Sequence, residues 1–206
     1  MNKNNSKIMW KNYNGRKKLF TIVPKSKGDI VQHRNWNPFS SKLGAALFNG
    51  LEIFPFKYNS KIFYFGKTSN STLDHLLDII CPDGMIYLQE DSNIEIKNLK
   101  NVVIVDNKQD NTLSNNDSKN LFDVIYSDNI TDENLQKQIL NYEMYLKNLG
   151  FLIITLNKIG KMNDISFRDQ INNIRINSNS SLTLIQEINL SNFFKDSMMI
   201  ILQKIE

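Results

Sequence analysis

The sequence predicts an α/β domain built on a seven-stranded, mostly parallel sheet whose last strand enters antiparallel. Three observations predict it. From Lys61 onward, short β-branched and aromatic runs alternate with helical stretches, the pattern of a wound parallel sheet. The chain then closes on two apolar runs, Leu182–Asn189 and Met198–Gln203, joined by a link too short for a crossover helix. Finally, 206 residues at 41% hydrophobic composition are enough to bury one full core.

The elements follow in order. Residues 1–33 are basic and irregular, with Lys17-Lys18 leading into Leu19–Val23, a candidate edge strand; they read as an N-terminal arm or an abbreviated small sheet. Residues 34–206 form the main domain. Asn37-Pro38 offers an N-cap with proline at the first helical position, and Asn49-Gly50 offers a stop, so a helix is predicted from Pro38 to Phe48. A strand at Ile62–Phe65, a helix at Ser71–Ile80, a Pro82-Asp83-Gly84 turn and a strand at Met85–Leu88 come next. Further strands are predicted at Val102–Val105, Asp123–Tyr126 and Phe151–Leu156. Between the last two, a helix should run from Asp132 to Asn148, with Thr131 as cap, two acids in its first turn and Gly150 beyond its end. A helix near Ser166–Asn177 precedes the final strand pair.

Composition narrows the function classes. Lys plus Arg number 25 against 21 acids, giving a net charge of +4 and a pI near 9.0, which permits an RNA partner without requiring one. The single cysteine, Cys81, has no second thiol for a disulfide or a zinc site, which fits a reducing compartment and predicts no metal. No apolar run reaches the length of a secretory core or a membrane span, so an intracellular protein without a membrane partner is expected.

In open wound sheets ligands sit beyond the carboxyl ends of the strands, near the switch in strand order. Gly66, Glu90, Asp128 and Asn157 each follow a predicted strand end and would surround one crevice there. The turn Gly66-Lys-Thr68-Ser69-Asn70-Ser71-Thr72 links a strand to a helix, a context in which backbone amides can approach a cofactor closely. Glu90 ends the next strand, where an acid can accept hydrogen bonds from both hydroxyls of a ribose; a solvated strand-end acid is the plainer alternative. His75 falls inside the helix after the turn, where a structural role outweighs one as a base.

Several segments together resemble fibrillarin, in its short archaeal form without a Gly/Arg-rich tail. They are Asn37-Pro-Phe-Ser-Ser-Lys42-Leu-Gly-Ala-Ala46, the Asn49-Gly50 stop, Phe54-Pro-Phe-Lys57, Tyr64-Phe-Gly66, and Thr72-Leu-Asp-His-Leu-Leu-Asp-Ile79. The resemblance runs from about residue 34 to the end and is densest before Glu90. It implies a class I S-adenosylmethionine-dependent methyltransferase fold and methylation of ribose 2′-hydroxyls in rRNA or tRNA. It also implies a box C/D ribonucleoprotein in which a guide RNA selects the substrate RNA, with a Nop-domain scaffold protein and a kink-turn-binding protein as partners. The location would be cytoplasmic in an archaeon and nucleolar in a eukaryote.

By the same resemblance, a Lys-Asp-Lys-His set surrounds the reacting hydroxyl. Lys42 matches the first lysine and Asp128 the aspartate. Asn157 stands where the second lysine belongs, with Lys158 one position late as a possible substitute, and Ser197 stands where the histidine belongs. Cofactor binding would fall to Gly66, Thr68, Ser69, Asn70, Ser71, Thr72, Glu90, Asp106 and Asp128. Asn70 replaces the second glycine of the turn, placing a side chain where that glycine leaves room for S-adenosyl-L-methionine. Two readings stand: a guide-dependent 2′-O-methyltransferase of reduced activity, and an inactive paralogue serving as an assembly or RNA-binding subunit.

Overall fold

The computed structural model describes residues 7–24, 31–66, 69–89, 100–105, 121–130, 135–157, 172 and 180–205. Three strands, β1 (Ile8–Tyr13), β2 (Arg16–Val23) and β3 (Gln32–Trp36), form a small antiparallel sheet in the order β1-β2-β3. The run Leu19–Val23, expected at an edge, therefore lies in the central strand. The alternation of that strand explains the placement: Leu19 and Thr21 are fully buried, and β3 covers β2 on the side away from β1.

The main sheet has seven strands in the order β6-β5-β4-β7-β8-β10-β9. They are β4 (Lys61–Gly66), β5 (Met85–Gln89), β6 (Val102–Val105), β7 (Phe122–Ile130), β8 (Leu146–Asn157), β9 (Leu182–Asn189) and β10 (Ser197–Lys204). All described pairings among β4 to β8 are parallel, and β10 inserts antiparallel between β8 and β9. The strand order reverses between β4 and β7, which leave the sheet side by side with Gly66 opposite Asp128.

Helix α1 (Lys42–Phe48) begins later than the sequence pattern suggested. Asn37 spends its side-chain oxygen accepting from the Phe39 amide at 3.0 Å, closing a local turn, and this leaves the cap to Ser41, whose hydroxyl accepts from the Gly44 amide at 3.1 Å. Gly44 lets the helix lie directly on Trp36, because a Cβ there would fall 2.8 Å from the indole ring. Helix α2 (Asn70–Ile80) is capped by Ser69 and buries Leu73, Leu76, Ile79 and Ile80, each such side chain contributing about 1.5–3 kcal/mol.

Helix α3 (Leu135–Glu143) stops well before Asn148. Leu146 instead pairs with Phe122 as β8 begins, and Lys147 bonds Asp123 at 2.6 Å. Gly150 marks a tight bend inside the strand, where a Cβ would fall 2.8 Å from the Lys147 carbonyl, rather than a helix stop. Thr131, the acids after it, and all of the helix expected at 166–177 except Asn172 lie outside the described residues.

The sheet carries a core on each face. Tyr64, Val124, Tyr126, Ile153 and Ile201 meet α1, α2 and the small sheet on one side. Phe63, Ile125, Leu152, Ile154 and Ile200 meet Ile139 of α3 on the other. The small sheet is fixed to α2 by polar contacts as well. Arg34 donates to Asp74 and Asp78, Thr21 donates to Asp78 Oδ2 at 2.7 Å, and the Lys7 ammonium donates to the Asp78 and Cys81 carbonyls. His75 stacks on Trp36 with ring centroids 4.4 Å apart. Burial, and then the neighbouring charge of Arg34, hold its imidazole down at about 4. The histidine belongs to this junction, as its place in the helix suggested.

Candidate active site

The carboxyl ends of β4, β7 and β8 bring the key side chains together. Asp128, 3% exposed, accepts hydrogen bonds from the Tyr64 hydroxyl at 2.7 Å, the Tyr126 hydroxyl at 2.8 Å and the Thr155 hydroxyl at 3.2 Å. Burial raises its carboxyl above the usual range, while these bonds and the Lys42 charge oppose the rise. The same burial drives both tyrosine hydroxyls well above their ordinary value, and the Asp128 charge adds to it. Both phenols therefore remain donors at neutral pH. Tyr64 and Tyr126 are register partners with ring centroids 4.9 Å apart, so the ladder itself aims their hydroxyls at one carboxylate.

Lys42 opens α1 and is 8% exposed. Its ammonium donates to Asn157 Oδ1 at 3.2 Å and lies 6.0 Å from the Phe194 ring centroid. Ser197 donates to the same amide oxygen at 2.8 Å. Asn157 and Ser197 are direct partners in the β8–β10 pairing, which places the two substituted positions next to each other and beside Lys42. The structure thus gathers Lys42, Asp128, Asn157 and Ser197 into one neighbourhood, whereas Lys158 lies outside the described residues.

The turn after β4 is tied to the lysine helix. Gly66 has φ +82°, and a Cβ there would run into the Asp128 carbonyl, so glycine is required twice over. The Ser69 amide donates to the Tyr64 hydroxyl at 2.9 Å, and its hydroxyl donates to the Ser40 carbonyl at 2.9 Å. Ser40 Oγ donates to Ser71 Oγ at 3.0 Å, and the Ser41 and Thr72 hydroxyls share a bond of 2.8 Å. These links hold the first turn of α2 against the start of α1. Asn70 is the first residue of α2, so the asparagine that replaces a glycine sits in ordinary helical backbone. Among the described residues the Ser127 hydroxyl, beside Gly66, is buried without a hydrogen-bond partner. Thr68, Glu90 and Asp106 lie outside the described residues.

Sequence patterns do not single out Tyr126 or Thr155 as site residues, and they bring in Tyr64 only as part of a family segment. A signal is nevertheless present: each is a polar-tipped residue on a strand that is otherwise apolar, two positions from Gly66, Asp128 or Asn157. No group of three or more His, Cys, Asp or Glu residues suited to a metal occurs among the described residues, nor is any described helix long and apolar enough to cross a membrane.

The family model Fibrillarin matches residues 1–206. The chain belongs to the fibrillarin family. A fibrillarin-like rRNA/tRNA 2′-O-methyltransferase of Methanococcus maripaludis is 30% identical over 187 residues, covering 84% of this chain and 78% of that protein. An RNA 2′-O-methyltransferase of Mus musculus is 33% identical over 136 residues, 63% of this chain and 43% of its own length. The chain thus spans less than half of this and other animal and plant fibrillarins that it matches. Among solved structures, the Methanococcus jannaschii fibrillarin superposes with a TM-score of 0.76 at 22% identity, covering 97% of this chain and 99% of that one. An Aeropyrum pernix fibrillarin in complex with natively bound S-adenosyl-L-methionine gives 0.73 at 22% identity, with 95% and 94% covered. A fibrillarin/Nop5p complex gives 0.70 at 20% identity, with 95% and 97% covered. The sheet order and the antiparallel β10 are accordingly those of the methyltransferase fold.

Proposed function

We propose that this fibrillarin-family protein binds S-adenosyl-L-methionine and methylates ribose 2′-hydroxyls of rRNA or tRNA inside a box C/D guide ribonucleoprotein. A guide RNA would select the nucleotide, and a Nop-domain scaffold and a kink-turn-binding protein would complete the particle. The convergence of Lys42 and Asp128 at the switch point, beside a glycine turn and a helix N-terminus, carries the reading. The names of the relatives support the substrate class, and the Nop5p complex supports the scaffold.

The site also suits the cofactor. Gly66 is left-handed and closely approached by the Asp128 carbonyl, Ser69 to Thr72 form a helix start without acids, and the Ser127 hydroxyl is a buried polar group without a hydrogen-bond partner beside Gly66. Gly66, Ser69, Asn70, Ser71 and Thr72 would hold the donor, whose sulfonium supplies an already activated methyl group. The chain itself then has to align the hydroxyl and assist loss of its proton. Lys42 places a positive charge where oxygen develops negative charge. Asp128, held by three hydroxyl donors, balances that lysine and stands as the proton acceptor of the set.

A second reading, an assembly subunit without catalysis, is favoured by Asn157 and Ser197. Neither an amide nor a hydroxyl takes up a proton at neutral pH, and general-base assistance is typically worth about 10²- to 10⁴-fold. Calorimetric titration with S-adenosyl-L-methionine tests the premise on which the enzyme reading depends: absence of heat at concentrations that saturate an intact relative ends that reading and leaves the assembly subunit. Where the cofactor binds, methyl transfer in a reconstituted guide complex separates the two. The enzyme reading expects slow turnover that Lys42→Ala abolishes; turnover unchanged by that substitution places the active site elsewhere.

A further inference from the structure

The small N-terminal sheet turns one face to α2 and the other to solvent. Trp10, Leu19 and Trp36 are register partners on the inner face, as are Ile8, Thr21 and Arg34. The outer face carries Lys11 opposite Lys18, Tyr13 opposite Arg16, and Phe20 between Met9 and Asn35, with His33 opposite Ile22. Three cations and three rings therefore share one open surface.

Lys11 Nζ sits 5.4 Å from the Phe20 centroid, Lys18 Nζ 4.9 Å from that of Tyr13, and His33 meets Phe20 edge-on at 6.5 Å. Tyr13 is 61% exposed, and Lys11, Arg16, Lys18 and His33 are exposed with it. The described part of this sheet contains no aspartate or glutamate, so its charge is of one sign.

We propose that this face is a platform for single-stranded RNA, separate from the catalytic crevice. Rings on an open antiparallel sheet can stack bases, and interleaved cations can neutralise the phosphates between them. The three-stranded sheet with a positive, ring-bearing face meets both requirements without help from the methyltransferase fold. Tyr13 and Phe20 stack the bases; Lys11, Arg16 and Lys18 hold the backbone. The stack of His75 on Trp36 and the ion pairs of Arg34 fix the inner face to α2, so RNA held on the outer face is held to the enzyme body as well. The inference deepens the reading of the protein as one that acts on RNA. It is testable apart from that reading, since it needs neither cofactor nor guide.

The test is fluorescence anisotropy of the full chain with a labelled single-stranded polyuridine RNA and with a duplex RNA of equal length, over a range of salt. Single-stranded RNA should bind more tightly than duplex. Tyr13→Ala should weaken it by about 5- to 150-fold, the range for losing one stacked base, and Tyr13→Phe should restore it. Lys18→Gln should flatten the slope of log K against log salt by about 0.7, one phosphate contact on a single strand. Lys61→Gln, a charge loss at the amino end of β4 and outside the small sheet, should leave both unchanged. The proposal is overturned by equal binding of duplex, by Tyr13→Ala binding like the parent, or by Lys61→Gln weakening binding as much as Lys18→Gln. Titration with S-adenosyl-L-methionine in the absence of RNA reports separately on the crevice.

Discussion

Replacing Tyr64 by phenylalanine should damage the candidate site in a way that replacing Tyr126 does not. Both hydroxyls donate to Asp128, at 2.7 and 2.8 Å, and a hydrogen bond to a buried charge is worth about 1.5–3 kcal/mol. The Tyr64 oxygen also accepts from the Ser69 amide at 2.9 Å, and Ser69 caps α2. Tyr64→Phe leaves that amide without its acceptor, adding about 1 kcal/mol. The expected loss is about 2.5–4 kcal/mol for Tyr64→Phe and about 1 kcal/mol less for Tyr126→Phe. For a chain of this size the Tyr64→Phe loss lowers Tm by about 8–12 °C. Urea unfolding at pH 7 measures both variants with an unchanged m-value. In an Asp128→Asn background the cost of Tyr64→Phe should shrink, because the bond to a charge is already gone. Equal losses for the two variants, or a Tyr64→Phe loss below about 1 kcal/mol, would refute the argument that one hydroxyl couples the carboxylate to the cap of α2.

Three further outcomes follow from the geometry. His75 is held at about 4 in the folded chain against about 6.5 unfolded, so its contribution is complete above pH 6.5 and lost as pH falls toward 4. The loss is about 3 kcal/mol, and stability profiles of His75→Gln should be flatter than those of the parent by that amount over this window. Gly66→Ala meets both a left-handed backbone and the Asp128 carbonyl and should cost more than about 1 kcal/mol, read from the unfolding midpoint. Asn157→Lys combined with Ser197→His restores the family set and should raise methyl transfer in a guide complex by about 10²-fold or more; no gain in a variant that still binds cofactor would show that Asn157 and Ser197 are not what limits the chemistry.

The fold was readable because its elements are written in short-range patterns. β6 and β9 fall at the predicted residues, and the antiparallel β10 was implied by two apolar runs with a short link. Helix ends were harder, since two residues competed for one role. Asn37 and Ser41 can each cap α1, and the Asn37 turn decides between them. Gly150 can end a helix or bend a strand, and only the pairing of Leu146 with Phe122, a contact between residues far apart along the chain, shows which. The site divided in the same manner. Asp128 and Asn157 were legible at predicted strand ends, whereas Lys42 and Ser197 were assigned only through the resemblance to fibrillarin. Tyr64, Tyr126 and Thr155 sit inside strands, where a polar tip on an apolar run is indistinguishable from core until the register aligns them.

That buried shell of hydroxyls changes what the two substitutions mean. Asp128 is satisfied by three neutral donors from β4, β7 and β8, so its placement does not depend on a cation at position 157 or 197. Asn157, in turn, offers one oxygen to both Lys42 and Ser197, and the β8–β10 register keeps that oxygen in place. An asparagine in this position can orient Lys42 without repelling it, which a second ammonium cannot do. The substitutions therefore remove groups that can carry a proton and positive charge, while Asp128 keeps hydroxyl donors of its own and Lys42 is oriented by Asn157 itself. Geometry and proton transfer are separable in this site, and the cofactor titration reads the first while the restored Asn157→Lys, Ser197→His pair reads the second.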